Sequence, residues 1–178
     1  MDDLEFARRL SERRDDAVRR LVDEFHSPIY RFLKQLTGRA EDAEDLAQQT
    51  FIRILATADR YDGRAPFRSW IYRFAINEFK RWRRKRIWLP LSSDLVCGTD
   101  PISSALDARM LLDALAHLSF DHRTAFLLHY VEGLSLEEIA ATFRIPAGTV
   151  KSRLHHARNQ LKVQLEPEEI HVPNYCRS

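Results

Sequence analysis

Apolar residues return at helical spacing through one segment after another, and no segment alternates apolar with polar residues over a sustained run. Ala17, Leu21 and Phe25 form one stripe, flanked by Val18 and Val22. Ile29, Phe32, Leu33 and Leu36 carry it past Pro28 until Gly38 closes the run. Ala43, Leu46, Ala47, Thr50, Phe51, Ile54 and Leu55 make a second stripe, opened by Glu41, Asp42, Glu44 and Asp45, whose charge suits a helix N-terminus. After a turn at Asp62, Gly63 and Pro66, a third helix is predicted from Phe67, with Trp70, Ile71, Phe74, Ala75 and Phe79 on its apolar side. The later chain repeats the habit. Ala108, Leu111, Leu112, Leu115 and Leu118 form one stripe, and Ala125, Phe126, Leu128, His129 and Val131 form the next, up to Gly133. Ser135 with Glu138 has capping-box spacing and opens a helix ending near Phe143. Arg144-Ile145-Pro146 turns the chain into a last helix from Ala147 to about Leu165. Only 5 glycines in 178 residues leave little material for β-turns. The expectation is an all-α protein without a sheet.

Charge divides the chain. Residues 1–86 hold 20 Lys and Arg against 15 acids, residues 87–105 no base and only Asp94 and Asp100, and residues 106–178 hold 8 bases against 9 acids. The middle stretch is also rich in Pro, Ser and Gly, as a linker is. The expected organisation is a helical domain at 1–88, a flexible linker at 89–105, a second small helical domain at 106–165 and a tail at 166–178. Two cysteines, Cys97 and Cys176, cannot build a disulfide framework and fit a reduced, intracellular protein. No apolar run reaches the length of a membrane span, and the acidic first ten residues do not read as a signal peptide.

Three segments carry chemistry. Ser135 to Leu161 is a capped helix, a short turn and a second helix, the layout of a helix-turn-helix. Between Arg144 and Lys162 there are five bases and no acid, and Thr149, Lys151, Ser152, Arg153, His155 and His156 fall on the outer side, suited to a phosphate-lined groove. Phe67 to Arg86 sets eight bases against the single acid Glu78, with six aromatics interleaved. Bases of this kind track phosphates and aromatics stack on unpaired nucleobases. Trp70, Phe74 and Phe79 read more simply as core, while Tyr72 and Trp82 fit either role. The third segment, Asp42 to Phe51, turns Asp45, Gln48 and Gln49 away from Leu46 and Phe51. Its carboxylates are accounted for by a helix N-terminus, and with no fixed His partner or Gly-rich loop nearby no catalysis is expected.

The strings Asp42-Ala43-Glu44-Asp45-Leu46-Ala47-Gln48, Phe67-Arg68-Ser69-Trp70-Ile71 with Ala75-Ile76-Asn77, Gly133 to Ala140, and Gly148 to Leu154 occur in an order and spacing that resemble the extracytoplasmic-function (ECF, group 4) sigma factors of bacterial RNA polymerase. The likeness runs over about residues 15–165. It implies sigma domain 2 in the first unit and sigma domain 4, a helix-turn-helix, in the second. Asp45, Gln48, Gln49 and Arg53 correspond to the surface that grips the polymerase β′ clamp, although relatives often carry an acid where Gln49 stands. Phe67, Arg68, Asn77, Lys80, Arg81 and Arg84 correspond to −10 recognition and melting, and Thr149, Lys151, Ser152, Arg153, His155 and His156 to −35 recognition. A second departure is Ser119, where relatives often have proline before a helix.

The resemblance further implies core RNA polymerase (β′ clamp and β flap) and promoter DNA as partners, control by an anti-sigma factor, and a cytoplasmic protein associated with the nucleoid when active. Its acidic linker would follow the RNA-exit path. No enzyme activity, cofactor, metal or membrane partner is expected, since the tail offers only His171 and Cys176 beside His155 and His156. Two other readings stand beside it. An operator-binding helix-turn-helix regulator would use Ser135 to Leu161 and leave Phe67 to Arg86 idle. A nuclease would use Asp42, Glu44 and Asp45.

Overall fold

The computed structural model of the chain describes residues 2–87, 111 and 113–165. The expected linker at 89–105 and tail at 166–178 lie outside the described residues, as do Cys97, Cys176 and His171. Among the described residues there is no strand.

Four helices build the first domain: α1 (Asp3–Ser11), α2 (Asp15–Thr37), α3 (Ala40–Thr57) and α4 (Phe67–Ile87). Helix α2 tolerates Pro28 in its interior and ends at Gly38, which takes the left-handed conformation (φ 73°) and donates its N–H to the Lys34 carbonyl at 2.9 Å. The stripes seen in the sequence become one core. Ile29, Phe32 and Leu33 of α2 meet Leu46 and Ile54 of α3 and Ile71 and Tyr72 of α4, all fully buried. Thr50 is buried among them because its hydroxyl donates back to the Leu46 carbonyl at 2.7 Å.

The turn before α4 is fixed from the other end of the domain. The Asp3 carboxylate accepts the Phe67 N–H at 2.9 Å, so an acid of α1 caps α4. Tyr61 donates its hydroxyl to the Ala65 carbonyl at 2.7 Å. Burial, with Asp3 beside it, pushes the Tyr61 phenol up to about 12. Gly63 holds φ +71° with Leu4 against it, and an added Cβ would lie 3.1 Å from that side chain.

The second domain comprises α5, helical over 113–117, then α6 (Phe120–Phe126), α7 (Leu136–Phe143) and α8 (Ala147–Leu165). Ser119 caps α6 by accepting the His122 N–H, so the residue that stands in place of a family proline performs a helix-start task. A π-helical turn, Leu127–Val131, extends α6. It swings Val131 off the apolar stripe expected from the sequence, leaving the residue 45% exposed. The capping box on α7 forms in full: the Glu138 N–H reaches the Ser135 hydroxyl at 3.1 Å, and the Glu138 carboxylate accepts the Ser135 N–H at 2.8 Å. Arg144 ends α7 in the left-handed region (φ 57°). Val150, Leu154, Ala157 and Leu161 form the buried side of α8, packing with Ile139.

The two domains touch. Tyr72 of α4 donates its hydroxyl to the Glu132 carboxylate at 2.6 Å, and Arg68 donates to the Glu132 carbonyl. Thr142 reaches the Ser69 carbonyl at 3.4 Å, and Arg123 the Leu36 carbonyl at 2.9 Å. Phe79 and Phe120 stack with ring centres 5.4 Å apart.

Candidate polymerase and nucleic-acid interfaces

Helix α3 presents a polar outer face. Its buried residues Leu46, Ala47, Thr50, Phe51 and Ile54 face the core, which leaves Asp45, Gln48 and Gln49 exposed on the opposite side. Ile52 lies on the same outer face at 66% exposure. It stands seven positions from Asp45, the spacing that returns to one helix face, so it was detectable from the sequence. Arg53 is also exposed, but its Nε lies 2.8 Å from the buried Glu78 carboxylate.

Helix α4 is used on several sides at once. Glu78, almost fully buried, receives Arg53 from α3 and Arg81 from its own helix at 3.0 Å on the same oxygen. Asp42 accepts the Trp82 indole N–H and an Arg86 N–H, each at 3.3 Å, which joins the start of α3 to the end of α4. Arg86 also lies over the Trp82 ring at 4.5 Å. The acid of the third motif therefore has a bridging task as well as a helix start to serve, and the Trp82 face beneath Arg86 is covered.

The sequence-predicted −10 residues separate into two sets. Phe67 is not on the surface; its ring packs edge-on against Phe6 at 5.0 Å and Tyr61 at 5.2 Å and is 3% exposed. The expectation of a DNA contact at Phe67 is corrected accordingly: its ring is held inside by Phe6, Phe25, Tyr61 and Trp70. Tyr72, fitted by its sequence to either role, is fully buried, and burial beside Glu132 raises its phenol well above the ordinary range, so it stays a proton donor. Asn77, Arg81 and Arg84 are exposed, whereas Arg68 and Lys80 are half-buried. Lys80 lies 5.5 Å from the Phe120 ring centre.

Helix α8 is simpler. Thr149, Lys151, Ser152, His155 and His156 are all exposed at or near its N-terminal half. Arg153 differs: it pairs with Asp121 of α6 at 2.6 Å and lies over the Phe143 ring at 5.3 Å. It ties α8 to α6 and α7. His156 stacks beside His122 at 5.7 Å, and His155 contacts Asn159 at 3.0 Å. Among the described residues no group of three or more His, Cys, Asp or Glu could hold a metal ion, and no helix is long and apolar enough to cross a membrane.

Known proteins carry the same architecture. Residues 21–89 match the family described as Sigma-70 region 2, and residues 108–161 match Sigma-70, region 4. The chain is 31% identical over 167 residues to the ECF RNA polymerase sigma factor SigW of Bacillus subtilis, covering 84% of this chain and 89% of that one. It belongs to the ECF sigma factors. It is also 37% identical to the ECF RNA polymerase sigma factor SigE of Mycolicibacterium smegmatis over 158 residues, spanning 83% of this sigma factor and 60% of SigE. The solved structure of the sigma factor RpoE with the anti-sigma factor NepR, from Bartonella quintana, superposes with a TM-score of 0.72 at 30% identity, covering 84% of this chain and 97% of RpoE.

The outer face of α3 and all of α4 lie within the region 2 match, and α7 and all of α8 up to Leu161 lie within region 4. Helix α1 falls outside both matches, yet it supplies Asp3 to α4. Sequence reasoning missed that contact, since 64 residues separate the partners.

Proposed function

We propose that this ECF sigma factor docks on core RNA polymerase through the outer face of α3, reads −35 duplex with α8 and holds the separated −10 strand on α4. Asp45, Gln48, Gln49 and Arg53 contact the β′ clamp, and the second domain meets the β flap. Lys151, Ser152, His155 and His156 reach base edges in the major groove, with Thr149 at the helix start and Arg153 holding the helix in place. Asn77, Lys80, Arg81, Arg84 and Arg68 track the phosphates and flipped bases of the −10 element. The chain performs no covalent chemistry. It acts in the cytoplasm, on the nucleoid when active, and an anti-sigma factor restrains it; the RpoE chain on which it superposes is itself in complex with the anti-sigma factor NepR.

The carrying observation is the exposed, acid-free row Thr149, Lys151, Ser152, His155 and His156 on a helix whose opposite side is anchored by Val150, Leu154, Ala157 and Leu161. An operator-binding regulator would need that row too, but it gives no use to the outer face of α3, and the comparisons do not favour it. Run-off transcription of fragmented genomic DNA by purified bacterial core polymerase, with and without this protein, separates the two. New discrete transcripts sharing upstream motifs support the proposal. Operator binding without co-elution with core and without transcripts refutes it.

A further inference from the structure

We infer that His122 of α6 is a positioning residue for −35 recognition: its ring presets His156 on the reading helix, and so sets how sharply that side chain discriminates between bases. The inference rests on the reading of α8 as the −35 helix.

The first turn of α6 grips α8 at two points. Asp121 pairs with Arg153 at 2.6 Å, and the ring of the next residue, His122, stacks on His156 with centres 5.7 Å apart and planes 23° from parallel. Two neighbouring residues of one helix thus hold positions i and i+3 of the other, which fixes the rotation of α8 about its own axis. His122 is itself anchored: it is half-buried, and its backbone N–H is donated to the Ser119 hydroxyl at 3.3 Å. The row continues outward. The His156 ring stands edge-on to His155, with centres 6.0 Å apart and planes 71° from parallel, and His155 meets the Asn159 amide at 3.0 Å. His155, His156 and Asn159 are all exposed.

The Nδ1 atom of His122 is buried and meets no hydrogen-bond partner. Such an atom costs stability, so a hydrogen bond at that nitrogen is not what keeps the ring in place. What the ring offers is a flat face to His156. An exposed side chain on a reading helix gives up rotamer freedom when it meets a base. His156, already seated on a ring, gives up less, and its imidazole edge arrives in one orientation. Base pairs differ in the major groove by where their donors and acceptors stand. An edge held in one place therefore discriminates between them, whereas an edge free to turn accommodates several.

The test uses holoenzyme assembled from core polymerase and the full-length protein. It measures affinity for a promoter recovered by run-off transcription and for the single-base variants of its −35 element. His156→Ala first marks the base pair that His156 reads, as the position where discrimination is lost. His122→Leu keeps the bulk and removes the flat ring, whereas His122→Phe keeps the ring and removes the unpartnered nitrogen. At that base pair His122→Leu is expected to reduce discrimination about three- to tenfold, with the other −35 positions and core affinity unchanged, while His122→Phe reproduces the parental profile. Adding His122→Leu to His156→Ala should change nothing further. A profile unaltered by His122→Leu, an equal loss at every −35 position, or a His122→Phe profile that matches that of His122→Leu overturns the inference. So does a His156→Ala protein that discriminates at every position as the parent does, although the reading of α8 survives that result if Lys151→Ala/Ser152→Ala weakens promoter binding. If that double variant binds the promoter as tightly as the parent, the reading of α8 falls with the inference.

Discussion

Helices α4 and α8 look alike as strings of bases, yet the fold uses them in opposite ways. In α8 every buried residue falls on one stripe, Val150, Leu154, Ala157 and Leu161, so the polar residues between them face solvent, except Arg153, which pairs with Asp121. In α4 the core takes Phe67, Trp70, Ile71, Tyr72, Ala75, Ile76 and Phe79, more than one face of a helix. Its charges then serve as bridges: Arg81 to Glu78, Arg86 to Asp42, Arg68 to Glu132. Basic composition alone does not make a reading surface; the width of the apolar stripe beneath it decides how many bases are left over.

The sharpest way to break this comparison is at Phe67. As a core ring it should cost about 3–5 kcal/mol of stability when replaced by alanine, read as a fall in the midpoint of denaturant unfolding. The remaining folded protein should keep its affinity for DNA. A variant of parental stability with weakened strand binding would return Phe67 to the surface.

A smaller effect separates Arg153 from its neighbours on α8. Its Asp121 partner is half-exposed, so Arg153→Ala should destabilise the second domain by only about 1 kcal/mol, including the lost contact with Phe143. Lys151→Ala, two residues earlier on the exposed side of the same helix, should leave the thermal midpoint unchanged. Equal stability losses at both positions would erase the distinction drawn between anchor and reader.

The weakest effect is on the α4 side, at the turn that Tyr61 fixes. Its phenol is raised from 10.0 to about 12, so the protonated form is favoured by folding. That contribution is complete below pH 10 and fades as the pH climbs toward 12. Thermal stability should therefore fall across that window more steeply in the parent than in Tyr61→Phe, and coincident profiles would count against the buried hydroxyl.

These contrasts also mark what the sequence could tell. The helix stop at Gly38, the capping box at Ser135 and Glu138, and the buried stripe of α8 are local patterns, each contained within a few turns, and they were legible. The Asp3 cap on Phe67 and the Tyr72–Glu132 bond join residues 64 and 60 positions apart, and no periodicity announces such pairs. Tyr72 was open between core and base-stacking because aromatic residues serve both. Val131 was misplaced by an assumption of uniform helical pitch, which the π-helical turn violates. Glu78 reads in sequence as a stray acid among bases; Arg81 of its own helix and the approach of Arg53 from α3 together give it a reason to be buried.

The most direct test of the account compares promoter binding by polymerase holoenzymes assembled with the parent, with Lys151→Ala/Ser152→Ala, and with Arg153→Ala, on a promoter recovered by run-off transcription. The double variant should lose roughly ten- to a hundredfold in affinity for the intact promoter while retaining its affinity for core and its thermal midpoint. Arg153→Ala should lose little more than its destabilisation explains. Undiminished promoter binding by the double variant would contradict the assignment of α8 as the helix that reads DNA.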